Sequence, residues 1–218
     1  MKVVVVASGD LGRGDARLLD DADLVIAADG GANTLERLGT PTDVLVGDLD
    51  SAHADVVERL AAGGTRIERH PVDKESSDTE LALAAALEAG ATEIVLLGAM
   101  GGDRLDHALA NVLLLADGGL VGRDLRLVHA GASVRAIRGP DRRALSGSIG
   151  DLVTLLPVGG DAGGVTTAGL RWQLDGASLR MGASRGLSNE IVATPAWVSL
   201  DSGGLLLIES PHRKEPSP

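Results

Sequence analysis

The first 120 residues alternate between short apolar runs rich in β-branched residues and longer stretches rich in Ala and Leu. The short runs are almost wholly apolar, as expected for strands whose two faces are both covered by helices. This alternation is the βαβ rhythm of a parallel sheet. The predicted strands are Lys2–Ala7, Asp23–Ala28, Val44–Val46, Arg66–His70 and Glu93–Leu97, and the predicted helices lie near 31–38, 52–62, 77–89 and 105–117.

The pattern changes after Gly122, where the helical stretches end. Short strand-like runs follow, separated by turns that contain Gly, Pro and Asp. Such spacing predicts a small antiparallel sandwich or barrel. We place the domain boundary between about 122 and 140. The predicted strands are Leu125–His129, Ser133–Ile137, Leu152–Leu156, Gly163–Thr167, Leu170–Leu174, Ala177–Met181, Glu190–Thr194 and Leu205–Glu209.

Composition excludes several classes of protein. A chain of 218 residues with 44% hydrophobic residues can bury a sizeable core and is not disordered. The absence of cysteine excludes disulfides, thiolate nucleophiles and cysteine-ligated metals. The apolar run at the N-terminus is too short for a signal-peptide core, and no run approaches the ~20 residues of a membrane span. We therefore expect a soluble cytoplasmic protein with no membrane partner.

Charge is distributed unevenly along the chain, whose formal net charge is -11. Residues 1–119 contain 9 Lys and Arg against 22 Asp and Glu, whereas residues 120–218 contain 11 against 9. Because residues 1–119 are so acidic, this half is a poor candidate for binding nucleic acid. An anionic ligand that binds this half would need a divalent cation as intermediary. The alternative is that the surplus carboxylates only keep the protein soluble.

Two polar clusters follow the second and third predicted strands, at the sheet edge where open α/β sheets bind ligands. Asp29 is followed by Gly30, Gly31, Ala32 and Asn33, and the glycines allow backbone N–H groups to approach an anion. An ordinary glycine turn explains this segment equally well. Asp48 and Asp50, two apart in extended chain, point the same way and together suit Mg²⁺. A helix-capping role for Asp50 or Ser51 is the alternative.

Two further clusters open the third and fourth long helices. Ser77 and Glu80 fit a capping box, which leaves Asp78 free to face the sheet edge. In the segment 98–107, Gly101 and Gly102 can clear space for a ligand. His107 and Asn111 share one helix face, and Leu105, Leu109 and Val112 are expected to form the core face. Packing alone does not explain five carboxylates at one edge: Asp29, Asp48, Asp50, Asp78 and Asp106.

The second half carries the only two aromatic residues of the chain, Trp172 and Trp197. An indole is a flat stacking surface for a planar or cationic ligand. Core filling is the alternative for each, and we favour it for Trp197. Ser188 and Asn189 belong to a second polar segment of this half.

In their order along the chain, six segments resemble the thiamine pyrophosphokinase family. The resemblance implies a fold: an α/β Rossmann-like parallel-sheet catalytic domain (1–130) followed by an all-β sandwich domain (131–210). From its position at the end of the chain, we expect residues 211–218 to form a disordered tail. The resemblance also implies a homodimer and the conversion of ATP and thiamine into AMP and thiamine diphosphate with Mg²⁺. Where the family has Thr-Asp this chain has Ser77-Asp78, and Asp103 is an extra residue before Arg104. The matching segments are Asp29–Asn33, Gly47–Ser51, Asp73–Leu81, Gly98–Asn111, Gly169–Leu174 and Ser188–Glu190.

The resemblance also implies roles for residues. Asp48, Asp50 and Asp78 would hold Mg²⁺, and Asp29 would join them or orient the hydroxyl. Arg104 would offset phosphate charge, while Asp106 would bind the substrate or accept its proton. On the ATP side we expect Gly30, Asn33, Ser77, Gly101, Gly102, His107 and Asn111. On the thiamine side, contributed by the partner subunit, we expect Trp172, Ser188 and Asn189.

Three other functions compete with this interpretation. A pyrophosphokinase acting on another planar acceptor, such as a hydroxymethyl pterin, would use the same ATP and metal apparatus. A phosphatase with Asp48 as nucleophile and Asp50 as acid would carry its motif near the first strand and a lysine downstream. Lys74 is the only lysine between Lys2 and Lys214. A non-enzymatic sensor of thiamine or nucleotide would not need five converging carboxylates.

Overall fold

A computed structural model describes residues 1–120 and 123–212, which form two compact units. The first, here called the α/β unit, comprises residues 1–114 and 123–130. The second, the β unit, comprises the described parts of 115–122 and 131–218. Most of the predicted tail, residues 213–218, lies outside the described residues.

The α/β unit is built on parallel strands whose order in the sheet is β6-β5-β1-β2-β3-β4. The chain adds β2, β3 and β4 on one side of β1 and then returns to add β5 and β6 on the other. Residues Val3–Val6 are completely buried, which explains the unbroken apolar runs. The strands are β1 (Lys2–Val6), β2 (Leu24–Ala28), β3 (Val44–Gly47), β4 (Arg66–Arg69), β5 (Glu93–Leu97) and β6 (Asp124–His129).

The four predicted long helices are confirmed within a few residues. Helix α2 lies close to β1 because Gly31 has no Cβ, which would collide with the Val6 carbonyl. A short helix, α1, and the 3₁₀ turn Arg17–Leu19 precede β2 and were not predicted. The helices are α1 (Arg13–Ala16), α2 (Gly31–Leu38), α3 (Ala54–Ala62), α4 (Asp78–Glu88) and α5 (Leu105–Leu114).

The predicted core face of α5 is wrong. Leu105 and Leu109 are 72% and 55% exposed, whereas Ala108 and Asn111 are buried. The Nδ2 atom of Asn111 donates a hydrogen bond to the Ala99 carbonyl at 2.9 Å. A small and a polar residue therefore face inward, and apolarity alone misidentified the buried side of this helix.

The β unit contains two antiparallel sheets, ordered β12-β9-β14-β7 and β11-β10-β13-β8. One buried core takes side chains from both sheets, among them Val153 and Leu205 from the first and Val165 and Val198 from the second. The sheets therefore pack face to face over a shared core. The strands are β7 (Ala132–Arg138), β8 (Asp141–Ala144), β9 (Leu152–Pro157), β10 (Ala162–Ala168), β11 (Ala177–Leu179), β12 (Asn189–Glu190), β13 (Trp197–Leu200) and β14 (Gly204–Ser210).

Four strand assignments in the β unit differ from the predictions. The predicted strand Glu190–Thr194 is strand only at Glu190, the last residue of β12. The predicted strand Leu170–Leu174 is a loop, in which Leu170 makes only an isolated bridge to Ile191. Strands β8 and β13 were not predicted. The sequence of β8, DRRA, is mostly charged, so its pairing with β13 has no hydrophobic signal. Among the described residues, none of the helices is both long and apolar enough to cross a bilayer.

Candidate active site

A cavity of about 330 Å³ lies in the α/β unit, at the carboxyl ends of its strands. It is bordered by the segments that follow β1, β2, β3 and β5 and by the first residues of α4 and α5. Chain order reverses at β1 in this sheet, and ligands bind at such a point in open α/β sheets. The lining residues are Ala7–Gly9, Ala28, Asp29, Asp48, Asp50, Ser51, Ser77–Thr79, Gly98, Ala99, Gly101–Arg104, His107, Ala108 and Asn111.

Three carboxylates converge in this cavity. Asp29 follows β2, Asp48 follows β3, and Asp78 is the first residue of α4. One oxygen from each lies within 4.8 Å of the others. Hard oxygen donors at this spacing fit a divalent cation such as Mg²⁺. The cluster includes Asp29 in place of the predicted Asp50.

Asp29 is held rigidly by the backbone that follows β3. Its own backbone has a positive φ of 46°, and its Oδ1 accepts hydrogen bonds from the Ser51 and Ala52 N–H groups at 3.3 and 3.2 Å. Burial raises the pKa of the Asp29 carboxyl, and the nearby Asp78 charge adds to this, while hydrogen bonding from Ser51 opposes it. The sequence signal for Asp29 was its place directly after a strand.

The Asp48–Asp50 segment departs from the predicted geometry. Leu49 between them has a left-handed φ of 66°, so the chain is not extended as predicted, although both side chains line the cavity. Instead, Asp48 Oδ1 accepts the Asp50 N–H at 3.2 Å. Asp50 lines the cavity and its Oδ1 accepts the Ser51 hydroxyl at 3.0 Å.

Lys74 contacts two members of the cluster. Its Nζ lies 2.8 Å from Asp48 Oδ2 and 2.8 Å from Asp78 Oδ1. Burial alone would lower the pKa of this ammonium, but hydrogen bonds and attraction from the two carboxylates outweigh burial and raise it. In turn, the Lys74 hydrogen bond lowers the pKa of Asp48. Sequence reasoning missed this contact, because Lys74 lies in the irregular segment before α4, where no helical spacing relates it to Asp78.

Asp78 presents a buried oxygen to a cation. Its Oδ1 lies 2.8 Å from the Lys74 ammonium and accepts no backbone or hydroxyl hydrogen within the described part of the chain. Such an oxygen fits a cation ligand. Gly47 makes room for it, because a Cβ on Gly47 would lie 2.9 Å from Asp78 Oδ1. The φ of Gly47 is also positive, at 147°.

Glycine-rich backbone forms another wall of the cavity. Gly101 and Gly102 have positive φ values of 80° and 71°, which favour glycine. A Cβ on Gly101 would collide with the Asp10 carboxylate. Gly101 therefore lets this wall turn tightly beside Asp10, and the Asn111 bond to Ala99 fixes the same segment.

Arg104 and Asp106 pair with each other at the mouth of the cavity. Arg104 Nε and one terminal nitrogen donate to the two Asp106 oxygens at 3.0 and 2.8 Å, and both side chains are exposed. The Arg104 guanidinium lowers the pKa of Asp106 strongly. Arg104 and His107 line the cavity, whereas Asp106 lies outside its lining.

Three other predicted residues support the surrounding backbone. Asn33 donates to the Ser51 carbonyl and accepts the His53 N–H, both at 2.9 Å, which joins the start of α2 to the segment after β3. Ser77 caps α4 by accepting the Glu80 N–H at 3.2 Å, as predicted. Gly30 lies against Ser8, with no space for a Cβ. Of the three, Ser77 lines the cavity.

The three predicted residues of the β unit lie together on its surface. Trp172 is 60% exposed, and the Arg171 guanidinium carbon lies 5.8 Å from its ring centre. The Asn189 side chain accepts the Trp172 N–H at 3.0 Å and donates to the Trp172 carbonyl at 2.7 Å. Ser188 has a positive φ of 55°. Asn189 therefore fixes the backbone that presents the indole.

Trp197 occupies a different environment in the β unit. It is half-buried, and the Arg142 guanidinium carbon lies 3.9 Å from its ring centre. Trp197 therefore stacks with a cation rather than simply filling the core.

A parallel sheet with an acidic, glycine-lined cavity at its switch point is compatible with a nucleotide-dependent phosphotransferase. Comparison with known proteins specifies the family. Residues 16–123 match the thiamin pyrophosphokinase catalytic domain, and residues 142–205 match the thiamin pyrophosphokinase vitamin B1 binding domain. The chain belongs to the thiamine pyrophosphokinase family.

Individual relatives agree over nearly the whole length. Thiamine pyrophosphokinase 3 of Oryza sativa subsp. japonica is 29% identical over 237 residues, covering 94% of this chain and 84% of the relative. The crystal structure of thiamine pyrophosphokinase from Bacillus subtilis has a TM-score of 0.86 and 26% identity, covering 97% of this chain and 100% of that one. That from Geobacillus thermodenitrificans has a TM-score of 0.84 and 27% identity, covering 98% and 99%.

Family membership establishes the reaction class: the chain is an ATP-dependent diphosphotransferase with ATP and thiamine as substrates. The matches support this function and not the pterin alternative. They also cover separate parts of the chain, the catalytic-domain match before residue 124 and the vitamin B1 binding-domain match after residue 141.

Proposed function

We propose that the α/β unit binds ATP with Mg²⁺ in its acidic cavity and aligns the β-phosphorus of ATP with the thiamine hydroxyl. The observation that carries this proposal is the cluster of Asp29, Asp48 and Asp78 oxygens within 4.8 Å of one another. We also class this unit as Rossmann-like, since its parallel strands reverse order at β1 beside the cavity.

The donor set fits Mg²⁺. Asp48 and Asp78 supply hard oxygen ligands, and the buried Asp78 Oδ1 already faces one cation, the Lys74 ammonium, at 2.8 Å. Asp29 completes the cluster, and Asp50 stays in the proposed ligand set because it lines the same cavity. Bound Mg²⁺ would neutralise phosphate charge and polarise the phosphoryl oxygens.

Backbone and cationic groups of the cavity position the nucleotide. The N-terminus of α4, which opens into the cavity at Asp78, favours the phosphate chain through its helix dipole and N–H groups. Gly101 and Gly102 allow the backbone to approach the nucleotide, and His107 and Asn111 line the same wall. Gly30 and Asn33 hold the segments that carry Asp29 and Ser51.

In the reaction, the thiamine oxygen forms a bond to the β-phosphorus while the bond from that phosphorus to the α-phosphate oxygen breaks. AMP leaves, and the hydroxyl proton is released. Arg104 offsets negative charge on the phosphates. Because Arg104 lowers the pKa of Asp106, that carboxylate is a weak proton acceptor. We therefore assign Asp106 to positioning Arg104 and binding the substrate.

Thiamine recognition is assigned to the β unit. Trp172 presents an exposed indole face, which suits a planar cation, and Ser188 and Asn189 flank it. Residues 1–119 contain no Phe, Tyr or Trp, so the α/β unit offers no aromatic surface of its own. We propose a homodimer in which Trp172 of one subunit serves the cavity of the other.

The test is a product assay. The purified protein is incubated with ATP, Mg²⁺ and thiamine, and nucleotides and thiamine esters are separated by chromatography. We expect AMP and thiamine diphosphate in equal amounts, and no diphosphorylation of a hydroxymethyl pterin supplied as a matched control. Formation of ADP would indicate an ordinary kinase, free phosphate a phosphatase, and no turnover a binding module.

A further inference from the structure

Lys74 is the inward-facing member of an otherwise exposed segment. Its neighbours Val72, Asp73 and Glu75 are exposed, whereas the Lys74 side chain is only 14% accessible. Its backbone N–H donates to the Val72 carbonyl at 2.9 Å, a turn that directs the chain toward α4. The segment thus places a single ammonium against the acidic cluster.

The ammonium uses the carboxylate oxygens that a metal would need. Its Nζ contacts Asp48 Oδ2 and Asp78 Oδ1, each at 2.8 Å. The other Asp48 oxygen already accepts the Asp50 N–H at 3.2 Å. Both oxygens of Asp48 are therefore engaged when Lys74 is in place.

For electrostatic reasons, the Lys74 ammonium and a divalent metal ion exclude each other at this cluster. Without any cation, three converging carboxylates repel one another, and one ammonium relieves part of that repulsion. A divalent ion at the same oxygens would lie within a few ångströms of the ammonium. Repulsion between them inside a partly buried site is weakly screened.

We propose that Lys74 is a positioning residue: an internal counter-ion that holds Asp48 and Asp78 in the metal-free protein and is displaced when a divalent metal binds. Lys74 thereby weakens the affinity for metal alone, while keeping its ligands in place. This inference rests on the proposed function, because it takes the acidic cluster as the metal site.

The experiment measures Mn²⁺ binding without nucleotide, by electron paramagnetic resonance, in the wild type and in Lys74→Met. Methionine keeps an unbranched side chain but removes the charge. We expect Mn²⁺ affinity to rise on the order of tenfold, since two ligands that exclude each other are coupled by such factors. Lys74→Arg keeps the charge and should stay near the wild-type affinity.

Thermal melting provides a second readout and a matched control. Without metal, Lys74→Met should melt below the wild type, and saturating Mn²⁺ should raise its melting temperature more than it raises that of the wild type. Lys2→Met removes another lysine, which pairs with Asp21 outside the cavity. It should leave Mn²⁺ affinity unchanged.

The outcomes separate this inference from the proposed function. If Asp48→Asn abolishes Mn²⁺ binding but Lys74→Met leaves it unchanged or weakens it, the metal site stands and the role of Lys74 is overturned. If Mn²⁺ binding does not depend on Asp48 at all, both ideas are wrong. Tighter Mn²⁺ binding in Lys74→Met, lost again on adding Asp48→Asn, supports both.

Discussion

The α/β unit and the β unit present their candidate residues in opposite ways. In the α/β unit, Asp29, Asp48 and Asp78 come from three separate segments and converge in a cavity, with Asp29 only 4% exposed. In the β unit, Trp172 is 60% exposed on a loop, and one neighbour, Asn189, fixes its backbone.

This difference indicates a division of labour. Charged groups can be held close together only where the fold determines their positions, which is why we assign the proposed metal and phosphate chemistry to the strand ends. An exposed indole on a loop contributes binding energy when a ligand covers it, because its apolar face is then buried. Changes in the α/β unit should therefore affect turnover, and changes near Trp172 should affect thiamine affinity.

The largest effect is expected from neutralising the cluster. Asp48→Asn and Asp78→Asn should each reduce kcat by about 10³-fold or more, because a metal contributes several kcal/mol to stabilising the charge of the transition state. Steady-state kinetics at saturating Mg²⁺ measures this. The control is Asp55→Asn, since Asp55 lies on α3 and pairs with Arg59 outside the cavity. Near-normal kcat in either cluster variant would overturn the metal assignment.

A smaller loss is expected from crowding the cluster without changing its charge. Gly47→Ala places a methyl group 2.9 Å from Asp78 Oδ1, and displacing a reacting geometry by about 1 Å costs on the order of 100-fold in rate. Gly39→Ala is the matched control, because Gly39 also has a positive φ but has open space around it. Equal activity losses in the two variants would show that backbone strain, not the cavity, is responsible.

The β unit should respond differently to loss of its exposed indole. Trp172→Ala should weaken thiamine binding by about 1–2 kcal/mol, the value of a desolvated cation–π contact, and leave ATP binding unchanged. The KM values for thiamine and for ATP measure these two effects. Trp197→Phe, at the tryptophan stacked with Arg142, should leave both KM values unchanged. A matching rise in the KM for ATP would contradict the division of labour.

The smallest effect is expected at Asn189. Asn189→Ala removes two hydrogen bonds to the Trp172 backbone and should raise the KM for thiamine about fivefold, for a loss of about 1 kcal/mol. Adding this change to Trp172→Ala should have no further effect, because Asn189 acts through the indole. Additive losses would instead indicate that Asn189 binds thiamine directly.

The elements of the α/β unit were largely predictable, because its buried strands are continuous apolar runs. Helix α4 also begins at its predicted cap, Ser77, whereas α2 and α3 have no side-chain cap. The orientation of α5 was not predictable, since its leucines lie outward and Asn111 lies inward. Strand β8 escaped detection because three of its four residues, DRRA, are charged.

Position along the chain predicted that carboxylates converge at the sheet edge, but it did not predict their local geometry. Asp29, Asp48 and Asp78 were each identified because they follow strands or open a helix. The left-handed φ at Leu49, which separates Asp48 from Asp50, has no sequence signal in a leucine. The contact of Lys74 with two carboxylates depends on a turn that brings distant segments together, and pattern alone does not show this.

The measurement that tests the division of labour most directly mixes two defective variants, Asp48→Asn and Trp172→Ala, at a low thiamine concentration. In a twofold-symmetric dimer, each mixed dimer has one site that keeps both natural residues if Trp172 serves the partner's cavity. With random subunit exchange, we expect recovery to about a quarter of wild-type activity. Activity no higher than that of Trp172→Ala alone, with exchange confirmed by mass-labelled subunits, would contradict the proposal that Trp172 serves the partner's cavity.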